Sequence, residues 1–109
     1  MALLGHVGTL THRRIAGWAW ESDAPNVPVT VLVAIERRVL GRCRADRFRE
    51  DLAIEGLGTG RCGFALDLPA GRLALRRGYA ISVRREGDGL HLPGSPYLLE
   101  PAIQIVRGA

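Results

Sequence analysis

Short segments of alternating apolar and polar residues run along most of this chain, and glycines and prolines separate them. Because successive side chains of a β-strand point to opposite faces, a period of two residues predicts half-buried strands. Six strands are predicted in this way: Leu3–Leu10, Arg14–Trp20, Val29–Ile35, Val39–Ala45, Cys62–Leu68 and Tyr79–Arg85. The closing strand or strands come from Leu90–Leu92, Tyr97–Leu99 and Ile103–Val106. Seven or eight short antiparallel strands are typical of an all-β sandwich, in which residues 1–109 form one domain.

The alternation also assigns faces to the predicted strands. In the second strand, Ile15, Gly17 and Ala19 lie on one face, and Trp18 and Trp20 lie on the other. Because the first of these faces is small, we expect the tryptophan face to fill the core.

Two further assignments concern aliphatic side chains. In the fourth strand, Val39 is predicted to point inward and Leu40 outward. In the loop between Pro69 and Arg77, Leu73 and Leu75 are both predicted to point inward.

The period of two residues breaks near Asp51. Residues 51–55 are predicted to form about one turn of helix, with Leu52 and the later Leu57 anchored on the core. Gly56 ends this turn, since glycine adopts the left-handed conformation without a steric penalty. The glycines that follow turn the chain into the next strand.

The charge of the chain has an unusual source. All 15 basic residues are arginine, and the formal net charge is +4. Arginine binds carboxylate, sulfate or phosphate with two parallel hydrogen bonds, so this composition favours acidic partners. A GC-rich coding sequence would also place arginine where lysine is usual, so the absence of lysine by itself identifies no ligand.

The sequence gives no indication of a cofactor, a metal centre or a membrane span. Cys43 and Cys62 form no metal-binding spacing, and they are either a disulfide or two small buried residues. No apolar run approaches the roughly 18 residues that a membrane helix needs. The first residues lack the features of a secretion signal, so the chain is expected in the cytoplasm unless it belongs to an exported protein.

Several motifs together resemble an immunoglobulin-like accessory domain of bacteria. They are the Gly-Trp-Ala-Trp segment at residues 17–20, the alternating valines from Val29, Arg49 with Asp51-Leu52, and the glycine-rich run that ends at Gly63-Phe64. The resemblance covers about residues 5–100. It implies an immunoglobulin-like β-sandwich without catalytic residues, associated with glycosyltransferases and cell-surface proteins. Cys62 and the turn Glu36-Arg37-Arg38 depart from the family pattern.

Three aromatic residues and one charged pair are the candidate binding residues. The indoles of Trp18 and Trp20 are suited to stack on a sugar ring, and Tyr97 is a further aromatic candidate. Arg49 and Asp51 are suited to clamp vicinal sugar hydroxyls. The structural alternatives are burial of the tryptophans in the core, and a salt bridge with a helix cap for Arg49 and Asp51.

The expected function is a non-catalytic binding module for carbohydrate, such as a cell-surface glycan. No Ser-His-Asp or Cys-His arrangement is recognisable in the sequence, so an enzyme is not predicted. One alternative is a protein-interaction module, or a homodimer formed through an edge strand. Another is a polyanion-binding module that uses the arginine pairs at residues 13–14, 37–38, 76–77 and 84–85. Nucleic acid is the weaker polyanion, because no aromatic residues are interleaved with these pairs.

Overall fold

The computed structural model describes residues 2–103, which form eight strands and one short helix. The strands are β1 Leu3–Leu10, β2 Arg14–Glu21, β3 Val29–Ile35, β4 Arg38–Ala45, β5 Arg47–Phe48, β6 Arg61–Asp67, β7 Tyr79–Arg85 and β8 Tyr97–Leu99, and the helix is α1 Glu50–Ile54. The predicted all-β class is confirmed. The predicted bounds match those of β1, β3, β7 and β8. They differ by one residue at one end for β2 and β4, and by one residue at both ends for β6.

The segments predicted to close the sandwich have different outcomes. Tyr97–Leu99 is a strand, whereas Leu90–Leu92 makes one isolated bridge, between His91 and Arg84. Ile103 lies in a bend, and the rest of the predicted strand at Ile103–Val106 lies outside the described residues. The strand β5 was not predicted, because two residues are too few to display a period.

The strands form two antiparallel sheets of four strands each. The first sheet has the order β1-β2-β6-β5, and the second has the order β4-β3-β7-β8. The chain crosses from one sheet to the other after β2, after β4 and after β6. The predicted all-β sandwich is confirmed, and its strand order and crossings are similar to those of immunoglobulin-like sandwiches.

The side chains buried between the two sheets are mostly aliphatic. The largest of those with almost no solvent exposure are Ile15, Val31, Val33, Leu73, Ile81, Val83 and Leu92. The predicted orientation of β2 is wrong, because Trp18 and Trp20 do not enter this core. They lie half-buried on the outer face of the first sheet.

The small residues Ile15, Gly17 and Ala19 form the core face of β2 instead. Phe64 of the neighbouring strand β6 supplies bulk to the same core. The backbone of β1 lies so close to Gly17 that a Cβ there would overlap the carbonyl of His6. The size of one face therefore does not decide its orientation, because small residues on one strand are complemented by large residues on its neighbours.

A β-bulge corrects the predicted faces at the start of β4. Val33 pairs with Gly41 and Ala34 pairs with Val39, so Leu40 is an extra residue in the ladder. As a result Leu40 is buried, with 7% of its surface exposed, whereas Val39 is 48% exposed. The prediction was the reverse, because alternation alone does not reveal an inserted residue.

The loop after β6 confirms one of its two predicted anchors. Leu73 is buried in the core, but Leu75 is 43% exposed. The backbone carbonyl of Leu75 accepts hydrogen bonds from the N–H groups of Ala102 and Ile103. Leu75 therefore fixes the loop through its backbone rather than through its side chain.

The predicted helical turn is confirmed as α1. Leu52 is its buried residue, and Leu57 is half-buried and donates its N–H to the carbonyl of Leu52. Gly56 has a φ of 82°, which explains why the helix ends there. Within residues 2–103, no helix has the length and apolar character that a membrane crossing requires.

Candidate functional site

The outer face of the first sheet places Trp18 at its centre. A cross-strand row runs from His6 of β1 through Trp18 and Gly63 to Arg47 of β5. Neighbouring residues in such a row are separated by about 5 Å. Because Gly63 has no side chain, the position next to Trp18 has room for a side chain from elsewhere in the molecule.

Arg49 occupies this position, and Gly63 is buried beneath it. A Cβ at Gly63 would lie 3.1 Å from Cδ and 3.3 Å from Cγ of Arg49, so the aliphatic part of the arginine rests on the Gly63 backbone. Two predicted site residues, Trp18 and Arg49, are thereby brought to neighbouring positions.

Arg49 and Asp51 form the predicted charged pair. Nε of Arg49 donates to Oδ1 of Asp51 at 3.1 Å, and Nη2 donates to Oδ2 at 2.8 Å. The expected salt bridge is present, but the expected cap is not, since Arg49 occupies the N-cap position without a side-chain hydrogen bond to the helix. Asp51 lies in the first turn of α1. An exposed pair of this kind adds only about 0–1 kcal/mol to stability.

A shallow groove of about 460 Å³ lies beside this pair. It is lined by small residues, among them Ala16, Gly63 and Ala65, and by the longer side chains of Arg14, Arg47, Phe48 and Arg49, which we call its rim. Trp18 does not line the groove itself but is the cross-strand neighbour of Gly63, which does. We call the groove together with Trp18 the Trp18 groove.

Phe48 is a member of the Trp18 groove that the sequence interpretation did not include. Its surface is 56% exposed, which is unusual for a phenylalanine. It lies in the two-residue strand β5, between Arg47 and Arg49. The sequence does contain a sign of this site: Phe48 is flanked by two arginines at the point where the two-residue period breaks.

The charges on the groove rim are only partly neutralised. Arg14 donates to Asp67 at 2.6 Å, and Arg49 is held by Asp51. Arg47 makes no ion pair with any residue between 2 and 103. A ligand in the groove therefore meets at least one available guanidinium.

Trp20 occupies a different place and has a structural contact. Its Nε1 donates to the carbonyl of Pro25 at 3.2 Å, and a Cβ at Gly58 would lie 3.0 Å from the same nitrogen. The indole thus joins the loop after β2 to the glycine-rich turn after α1. It also borders a second groove, of about 470 Å³, together with Arg61.

Tyr97 lies apart from the other predicted site residues. It belongs to β8 in the second sheet, is half-buried and packs against the core. Its hydroxyl donates to the carbonyl of Pro93 at 2.6 Å, and burial raises the pKa of this hydroxyl. The structure therefore does not bring Tyr97 to the Trp18 groove.

Three of the four predicted arginine pairs separate into two groups. Arg37, Arg38 and Arg77 line one pocket of about 430 Å³, between the β3–β4 turn and the start of β7. Arg84 and Arg85 lie towards the opposite end of β7, where Arg85 pairs with Val31 of β3. The fourth pair lies at the start of β2, where Arg13 donates to the carbonyl of Leu68 and Arg14 forms an ion pair with Asp67.

Arg85 is enclosed by carboxylates. Its Nη1 donates to Glu21 at 2.8 Å, and its Nη2 and Nε donate to Asp88 at 2.7 and 3.0 Å. The hydrogen bond from Arg85 lowers the pKa of Glu21, and it lowers the pKa of Asp88 to about 2. The same bonds, that to Asp88 first, raise the pKa of Arg85. We call Glu21, Arg85 and Asp88 the closed end.

The edge strands differ in how they are protected. The edge strand β4 carries Arg38, Arg42 and Arg44 and has the bulge at Leu40, features that hinder pairing with another sheet. The edge strand β1 also has a bulge, at Gly8, but it contains no charged residue and no proline. The predicted interaction through an edge strand therefore has β1 as its candidate.

The cysteines are not joined, and neither is placed for reactivity. Cys43 is half-buried on β4 and Cys62 is buried on β6, and both are free. Burial raises the pKa of each thiol, which disfavours the reactive thiolate. Among residues 2–103, no group of three histidine, cysteine or acidic side chains is arranged to hold a metal ion.

Comparison with known proteins finds no similar protein. No protein-family model matches this chain, and no curated protein or solved structure is significantly similar to it. The resemblance of its motifs to bacterial immunoglobulin-like accessory domains stays a prediction.

Proposed function

We propose that the chain is a non-catalytic carbohydrate-binding module whose site is the Trp18 groove. The observation that carries the proposal is the position of Trp18, half-buried on the outer face of the first sheet and paired with Gly63, on which the Arg49 of the Arg49–Asp51 pair rests. An aromatic ring next to hydrogen-bonding groups in fixed positions is what recognition of a sugar requires.

Each part of the groove has a definite chemical role in this proposal. The apolar C–H face of a pyranose packs on the indole of Trp18, and Phe48 offers a second aromatic surface at the rim. The carboxylate of Asp51 accepts hydrogen bonds from sugar hydroxyls, and the guanidinium of Arg49 donates to them. The two hydrogen bonds between Arg49 and Asp51 fix both groups before a ligand arrives, which reduces the entropy lost on binding.

The proposal is for binding without catalysis. The motif resemblance to accessory domains linked to glycosyl transfer points to the same class of ligand.

Replacement of Trp18 tests the proposal. The wild-type domain is screened on a glycan array, and the affinity for each bound glycan is then measured for the variant Trp18→Ala. We expect a loss of at least about tenfold, equivalent to 1.4 kcal/mol, because stacking on the indole is removed. Leu98→Ala is the matched control, since Leu98 is 75% exposed in the second sheet.

The outcomes separate clearly. Binding by the wild type that Leu98→Ala keeps and Trp18→Ala loses supports the site. Binding that survives in Trp18→Ala would place the glycan elsewhere on the molecule. Absence of binding to every glycan on the array would overturn the proposed function.

A further inference from the structure

We propose that one end of the sandwich is a second, separate binding site, and that its ligand is an acidic polysaccharide. This end presents the arginines of the β3–β4 turn and of the loop that precedes β7. They are Arg37, Arg38, Arg72, Arg76 and Arg77, and we call them the basic end.

The arginines of the basic end lack the acidic partners that five other arginines have. Arg14, Arg42, Arg44, Arg49 and Arg85 each form an ion pair with a nearby carboxylate. Within residues 2–103, none of the basic-end arginines does so. Arg13, Arg47 and Arg61 also form no ion pair within residues 2–103, but each of these three lines a different groove, whereas the basic end groups its arginines at one place. Uncompensated positive charge at one place on the surface attracts an anion.

The pocket between these arginines is concave. It has a volume of about 430 Å³, and Arg37, Arg38 and Arg77 line it together with Glu36 and Tyr79. Guanidinium groups on both sides of a depression bind an anionic group with several hydrogen bonds at once.

The loop that carries Arg77 is held in place before any ligand binds. His12 is buried, and its Nε2 donates to the carbonyl of Arg77 at 2.8 Å. The N–H of Ala74 donates to the hydroxyl of Tyr79 at 2.9 Å. The guanidinium of Arg77 lies 5.2 Å from the centre of the Tyr79 ring, within the range of a cation–π interaction. Such preorganisation lowers the entropic cost of binding.

The turn on the other side of the pocket is strained. Glu36 has a φ of 49°, in the left-handed region that favours glycine. Backbone strain of this kind concentrates at functional sites. Here the strain is located in the turn that presents Arg37 and Arg38.

The pocket favours a polysaccharide over a nucleic acid. Single-stranded nucleic acids need aromatic rings on which bases stack. The ring of Tyr79 is already in contact with Arg77 on one side and with the edge of His12, whose ring centre lies 5.9 Å away. Glu36, at the pocket wall, accepts hydrogen bonds from sugar hydroxyls but repels a continuous run of phosphates. Arginines with one carboxylate among them therefore suit a chain that carries both hydroxyls and acidic groups.

The test compares two variants that lose the same charge. Arg37→Gln/Arg38→Gln/Arg77→Gln removes the basic end, and Arg42→Gln/Arg44→Gln/Arg61→Gln removes three exposed arginines elsewhere. Binding of fluorescein-labelled heparin and of polygalacturonate is measured by anisotropy at salt concentrations of about 50 and 200 mM. We expect the basic-end variant to lose at least about tenfold in affinity and much of the salt dependence. We expect the control to lose less than about threefold.

Each alternative result is decisive. Equal losses in the two variants would overturn the site, because net charge alone would then explain the binding. Tighter binding of a thymidine oligonucleotide than of either glycan would overturn the ligand class, and no binding at the lower salt concentration would overturn the inference. If thermal unfolding shows that the triple variant is destabilised, the single variants Arg37→Gln and Arg38→Gln replace it. Trp18→Ala is expected to keep heparin binding, which separates this site from the Trp18 groove.

Discussion

At the closed end, Arg85 lies between Glu21 and Asp88, whereas Arg37, Arg38 and Arg77 at the basic end have no acidic partner within residues 2–103. Only 26% of the Arg85 side chain and 14% of the Glu21 side chain are exposed. The ion pairs of Arg85 with Glu21 and Asp88 therefore hold the hairpin after β7 against β2.

The difference shows how one residue type serves two purposes in a small fold. In the sequence, the pairs at 37–38 and 84–85 look alike, since both lie at the ends of strands. The partners supplied by neighbouring strands decide whether an arginine is neutralised inside the molecule or left to meet a ligand. Removal of a neutralised arginine should therefore lower the stability of the fold, whereas removal of an arginine without an acidic partner should lower the affinity for a ligand.

The largest effect on stability is expected from the anchor of the basic end. The variant His12→Phe keeps an aromatic ring next to Tyr79 but leaves the carbonyl of Arg77 without its hydrogen bond. We expect the free energy of unfolding to fall by about 1–3 kcal/mol in urea denaturation, the cost of an unsatisfied group in a partly buried place. His6→Phe, at an exposed position on β1, is the control and should change little.

Binding measurements on His12→Phe sharpen the comparison. If the loop preorganises the basic end, heparin affinity should fall together with stability, although no arginine has been removed. An unchanged affinity in a destabilised variant would show that the loop adapts to its ligand and that His12 only stabilises the fold.

A smaller effect is expected at the closed end, and it depends on pH. The pKa values of Glu21 and Asp88 are lowered in the folded state, so both carboxylates stabilise the fold above their unfolded pKa values. This contribution is lost as the pH falls through the folded values, which for Asp88 means between about 4 and about 2. Arg85→Gln should lower stability at neutral pH and reduce the acid dependence of the melting temperature. Equal dependence on pH in both proteins would show that the closed end does not govern acid unfolding.

The strand pattern of the sequence was sufficient to predict the fold, but not every face of it. Alternation located β3 and β7 within the chain, because one side of β3 is buried throughout and the same side of β7 is buried at Ile81 and Val83. It placed Val39 and Leu40 on the wrong faces, since a bulge changes the register without leaving a mark in the pattern. It also predicted wrongly that the tryptophans point inward, because the residue that fills the core next to β2, Phe64, lies on another strand.

The candidate sites depended even more on the topology. The sequence indicated Arg49 and Asp51 as a pair because they are two residues apart, and they are paired. It could not place Trp18 near Arg49, since the two are brought together only by Gly63 of β6, which pairs with Trp18 and lies beneath Arg49. The convergence of Arg37 and Arg77 likewise follows from the pairing of β3 with β7 in the second sheet, which no local pattern encodes.

The smallest effect is expected in the turn of the basic end, and it separates stability from binding. Glu36→Gly removes the side chain that is strained at a φ of 49°, and glycine adopts this conformation without penalty. A left-handed residue with a side chain costs about 1–2 kcal/mol, part of which glycine returns through the greater entropy of its unfolded chain. We therefore expect a gain of about 0.5–1 kcal/mol in urea denaturation.

The same variant should bind acidic polysaccharide in a way that identifies the role of Glu36. If its carboxylate accepts hydrogen bonds from sugar hydroxyls, the Glu36→Gly variant should bind polygalacturonate more weakly, although its pocket has become more positive. If affinity rises instead, the carboxylate only repels anions, and the strained turn is a structural feature of the hairpin. Glu100→Gly removes an equal charge at an exposed position lining a different groove, so it measures how much of any change comes from net charge alone.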